Sequence, residues 1–170
     1  LEIWAKNASN KSFDMFYEIL SIPNDANHLD DIELNVKWCE KNFAERGFVT
    51  KRISTPKAPL LLAQKTFPRA KETVLIYLPI DGQPVDNSRW FQESPYTPVL
   101  KRQNSQGVWE IIDWDEIKNY KDDWRIFARS TSDAKGPLVM FLNAMDVLEE
   151  KKLSPNFNIK VIMDFEEELG

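Results

Sequence analysis

The chain has 170 residues, 42% of them apolar and 29% charged, which suits one cored domain and excludes a disordered tail, a collagen-like repeat or a polar linker. No run approaches the roughly 18 to 20 consecutive apolar residues of a membrane span. With 22 Lys and Arg against 27 Asp and Glu, the net charge is -5, and no basic stripe offers nucleic acid a footprint.

Ser12 is placed to cap a short helix with Phe13, Phe16, Tyr17 and Leu20 on one face, which Pro23 ends. A second helix runs from about Asp30 to Arg46, with Ile32, Val36, Cys39 and Phe43 at spacings of three and four and Gly47 as its stop. Cys39, on that stripe, reads as a small buried side chain. A single thiol forms no internal disulfide, so cytoplasm and periplasm both fit. His28, between the helices, reads as a surface or cap residue. The start at Leu1 rather than Met fits a removed leader or a trimmed chain equally.

Strands follow. Phe48 to Ile53 alternates, and Leu60 to Phe67 comes after two prolines. Thr73 to Leu78 is apolar on both faces, as in a central strand, and stops at Pro79. The stretch from Gly82 to Asp123 reads as a long aromatic loop with a short strand near Gly107 to Ile112, its aromatics mostly plugging it onto the core. Trp124 to Ala128 is another short strand. Pro137 opens a helix with Leu138, Phe141, Leu142, Met145 and Leu148 as its stripe, and Met140 and Met145 read as packing. Phe157 to Phe165 is a β-rich run. A helix between two apolar strands fits a crossover and makes part of the sheet parallel, so the fold class is α/β.

Ligands of open α/β sheets bind beyond the C-terminal ends of the strands. Three acidic features lie there: Asp81, Asp133 before the last helix, and Glu167–Glu168 after the last strand. Singly, each fits an ordinary turn or helix start. Together they would repel unless a cation neutralised them, and oxygen donors suit Mg²⁺, Mn²⁺ or Ca²⁺ as well as zinc. One of two adjacent glutamates can ligate a metal while its neighbour moves protons, which is the chemistry of metal-assisted amide hydrolysis.

Four strings in order, VLIYLPIDGQPVD (74–86), WFQESPYTPVL (90–100), DWRIFARSTSDAKGP (123–137) and IKVIMDFEEELG (159–170), resemble the zinc-dependent exopeptidases and deacylases. That family includes carnosine-type dipeptidases, glutamate carboxypeptidases, aminoacylases, acetylornithine deacetylase and succinyl-diaminopimelate desuccinylase, and the dipeptidase-like branch is the nearest in look. The resemblance implies a three-layer catalytic domain with a mixed, mostly parallel sheet flanked by helices. It implies that residues 1–170 are the N-terminal portion, without the lid or dimerisation domain and the later catalytic segments. It casts Asp81 as the residue orienting a ligand His, Asp133 as the bridging metal ligand, Glu167 as the general base and Glu168 as a metal ligand. The implied metal is zinc, or manganese or cobalt. The implied substrate is a small peptide or N-acyl amino acid, and the parent protein is expected to dimerise. The sequence departs at Pro79, where the family has its first ligand His, so the expectation is one metal or none. A catalytically impaired binding scaffold is the alternative.

Overall fold

A computed structural model describes residues 2–170, with side chains described from residue 11 onward. Two helices open the chain, α1 (Glu2–Leu20) and α2 (Leu29–Glu45). Ser12 lies within α1 instead of capping it, and its hydroxyl donates to Asn143 Oδ1 at 2.9 Å. On α2 the expected stripe is buried at Ile32, Val36, Cys39 and Phe43, and Gly47 turns the chain with φ 75°. Burial pushes the Cys39 thiol up to about 12, which makes it an inert packing group.

The strands are β1 (Val49–Ile53), β2 (Leu60–Lys65), β3 (Glu72–Pro79), β4 (Val99–Gln103), β5 (Trp109–Ile112), β6 (Arg125–Phe127) and β7 (Phe157–Asp164), with α3 (Lys135–Glu150) between the last two. The main sheet has the order β1-β2-β7-β3. Its β1–β2 and β2–β7 pairs are antiparallel, and β3 runs parallel to β7 with Leu78 opposite Met163 and Pro79 opposite Asp164. The mixed α/β sheet is as expected, but the crossover is not made from the two strands beside α3. β6 belongs to a second, antiparallel sheet of order β5-β4-β6, and the parallel partner of β7 is the distant β3.

The three helices bury one face of the main sheet. Ile19, Val36, Phe43, Leu138 and Leu142 pack with Leu61, Ala63, Ile159, Val161 and Met163, all in one apolar cluster. Period-two alternation along β7 places Ile159, Val161 and Met163 inward. Leu100, Ile117 and Trp124 form a smaller cluster beneath the second sheet.

Three expectations give way. β3 is an edge strand, with Leu75 and Tyr77 exposed, because among the described residues only β7 pairs with it. β4 was hidden in the presumed loop by its central Lys101 and Arg102, which break an apolar pattern. Met140 is 72% exposed and packs little, whereas Met145 is buried as expected. No helix is long and apolar enough to cross a membrane among the described residues.

Candidate active site

The parallel pairing of β3 and β7 decides what meets at the end of the sheet. Because Pro79 lies opposite Asp164, the residues that follow each strand leave it side by side. Asp81 is 2% exposed, and its Oδ2 accepts the backbone N–H of Glu168 at 3.0 Å. The Glu168 carboxylate accepts from Gln83 Nε2 at 3.0 Å. Asp81 Oδ1 is buried without a hydrogen-bond partner. Burial pushes the Asp81 carboxyl above its ordinary value, opposed by the nearby backbone amides of Glu168 and Glu167. The side chain of Glu167 is exposed, while Glu168 is half-buried. The third glutamate of the run, Glu166, is engaged elsewhere and accepts Ala58 N–H at 3.1 Å.

Asp133 is exposed in the tight loop before α3, and its peptide bond to Ala134 is cis. That loop is fixed at both ends. Fully buried Asn24 donates through Nδ2 to Ile80 O at 2.7 Å and to Ser130 Oγ at 3.0 Å, and its own carbonyl accepts Gly82 N–H at 2.8 Å. Gly82 lacks a Cβ for a reason, since one would lie 2.7 Å from Ser130 Oγ. At the far end, fully buried Lys135 donates to Ile19 O at 2.8 Å, in the last turn of α1, and to Ile22 O at 2.5 Å, just beyond it. Burial pulls its pKa down to about 7.

Asp81, Gln83 and Glu168 are thus brought together. No hydrogen bond or ion pair joins Asp133 to Glu167 or Glu168 among the described residues. Asn24, Gln83, Ser130 and Lys135 were not singled out from sequence, because a polar residue between elements carries no periodic signal of its role. The Lys of the SDAKG string was visible, but nothing in the pattern marked it as buried. His28 is exposed at the start of α2 and makes no capping bond there, and its Nε2 lies 3.8 Å from Asp25 Oδ2.

Asp133 and Glu168 carry the oxygen donors a divalent ion takes. Pro79 carries none, and among the described residues no group of three or more His, Cys, Asp or Glu is placed to hold a metal. These residues alone do not fit a metal centre.

The fold defines a mixed-sheet α/β domain with acidic turns at the end of a parallel strand pair. Residues 76–170 match Peptidase family M20/M25/M40, and the chain belongs to that family. It is 28% identical over 117 residues to the Cys-Gly metallodipeptidase dug1 of Schizosaccharomyces pombe, a match covering 68% of this chain and 20% of that protein. It is 27% identical over 117 residues to the Beta-Ala-His dipeptidase of Mus musculus, over 69% of this chain and 20% of that one. Human carnosine dipeptidase 1 superposes with a TM-score of 0.76 at 19% identity, over 98% of this chain and 34% of that chain. The metallo-carboxypeptidase Sso-CP2 of Sulfolobus solfataricus gives 0.72 at 27% identity, over 93% and 31%. The match thus spans 20% of the length of each curated relative.

Proposed function

We propose that the protein is a metal-dependent hydrolase of the dipeptidase or aminoacylase type, cleaving a peptide or N-acyl amide bond, and that these residues form the N-terminal portion of its catalytic domain. The observation that carries this reading is the Glu168 N–H to Asp81 Oδ2 contact, which unites two acidic motifs 87 positions apart in the chain. The names of the relatives support the same reaction class.

In this proposal Glu167, exposed beside that contact, takes a proton from the attacking water and returns it to the departing amine. Asp133 and Glu168 would each supply an oxygen donor to a metal, and Asp81 would act as a positioning residue. A working centre needs donors beyond these, because Pro79 supplies none. Zinc is the preferred metal, with manganese or cobalt as substitutes, and the substrate is a small peptide or N-acyl amino acid.

The second reading is a catalytically impaired scaffold. Pro79 favours it, since that residue is the last of β3 and has no side-chain donor to offer.

The test is an assay of the full-length protein on a panel of dipeptides and N-acyl amino acids with added zinc, manganese or cobalt, alongside direct measurement of bound metal; residues 1–170 on their own are expected to be inactive. We expect hydrolysis that Glu167→Gln lowers by about a hundred- to ten-thousand-fold. Hydrolysis indifferent to Glu167→Gln removes that residue from its role. No metal and no turnover on any substrate favours the scaffold, and metal binding gained by Pro79→His would then show the rest of the site to be intact.

A further inference from the structure

The second sheet has two apolar faces, and only one is covered. Leu100, Ile112 and Ile126 face the cluster around Ile117 and Trp124. Alternation turns their neighbours the other way, and the register sets Lys101 opposite Ile111, Gln103 opposite Trp109 and Val99 opposite Phe127. The segment Arg89–Gln92 borders this second face, which leaves a cleft of about 400 Å³ walled by Trp90, Phe91, Trp109, Ile111 and Phe127. Two of the walls are open to solvent, Phe91 at 91% and Ile111 at 55% exposed, while Trp90 and Phe127 are half-buried.

Lys101 points into this cleft and is only 7% exposed. Its ammonium sits 4.5 Å from the centroid of the Phe127 ring and reaches Phe91 O at 3.4 Å. An ammonium has three protons to donate, and one long carbonyl contact leaves it under-satisfied. Among the described residues no carboxylate pairs with Lys101 or with Arg89 at the rim, and no acid lines the cleft. Glu110, between Trp109 and Ile111, turns to the opposite face and accepts from Asn104 Nδ2 at 2.7 Å. A nearly buried cation without a counter-ion is costly, and an anion entering the cleft would offset that cost.

We propose that this cleft binds a small organic carboxylate with an aromatic or branched apolar body, its anion against Lys101 and its body between the aromatic walls. Burial pulls the Lys101 pKa down, in keeping with a site that lacks its partner charge. None of the residues assigned to hydrolysis lines this cleft, so the inference stands apart from the hydrolase reading.

The test titrates the unaltered protein by calorimetry and tryptophan fluorescence with 3-phenylpropionate, its neutral amide, acetate, and the dipeptide glycyl-phenylalanine. We expect the phenylpropionate to bind about ten-fold or more tighter than the amide, and acetate to bind not at all. Lys101→Met should erase the preference for acid over amide, and Lys101→Arg should keep it. Binding of the dipeptide as well points to a peptide C-terminus as the source of the carboxylate, whereas binding of phenylpropionate alone points to a free acid. Equal binding of acid and amide, an acid preference that survives Lys101→Met, or no binding of any probe at millimolar concentration overturns the proposal. If Lys101→Met does not fold, the comparison of acid with amide on the unaltered protein decides.

Discussion

At Asn24 a single side-chain amide serves two loops, bonding Ile80 O beside Asp81 and Ser130 Oγ at the start of the Asp133 loop. Asn24→Ala would leave both acceptors buried without that donor, and we expect a loss of about 2 kcal/mol in urea unfolding. Gly82→Ala tests the same junction by crowding instead of deletion. Its Cβ would meet Ser130 Oγ at 2.7 Å, so one loop must shift, at a cost of about 1–3 kcal/mol. The Asp81 carboxylate accepts the Glu168 backbone N–H, so two of the acidic motifs picked out by their places after strands adjoin, while no bond joins Asp133 to them among the described residues. The braces behind them were not. Asn24 and Lys135 act through buried contacts with backbone carbonyls, and a carbonyl leaves no trace in the identity of the residue that carries it.

Helix α2 is tied to β1 by one side chain. Arg52 bonds Glu40 through two nitrogens, both at 2.7 Å, and Glu33 through a third at 2.8 Å. Hydrogen bonds from Arg52 hold both carboxyls below their ordinary value of 4.5. A lowered folded-state pKa means this stabilisation is present above that ordinary value and is lost as pH falls through the lowered ones. Arg52→Ala should therefore cost under about 1 kcal/mol at pH 7, since the groups are partly exposed, and nothing once both glutamates are protonated. Parallel unfolding curves of the two proteins, at pH 7 and in acid strong enough to protonate both glutamates, check this. Within α3, Leu142→Ala should cost about 2–5 kcal/mol, because Leu142 is fully buried in the main cluster. The stripes of α2 and α3 were readable because a helix buries one face at a fixed period. β4 was not, because its buried charge Lys101 broke the alternation.

For the whole molecule, the exposed edge strand is the chief liability. Along β3, Leu75 is 60% and Tyr77 52% exposed, and the outer hydrogen-bonding groups have no strand beside them among the described residues. Unpaired apolar edges invite pairing between chains. We expect residues 1–170 on their own to self-associate with rising concentration in sedimentation velocity, and Leu75→Lys to shift them towards monomer. A dimer unaffected by that substitution would have to use another surface. The parallel register of β3 with β7 also has a consequence in time. Glu72 aligns with Phe157, so roughly 85 further residues must leave the ribosome before the pair can zip. At about 5–20 residues per second that is a wait of roughly four to seventeen seconds. Through that interval the run TVLIYL has no neighbour on either side, which makes it the natural first stop for a chaperone.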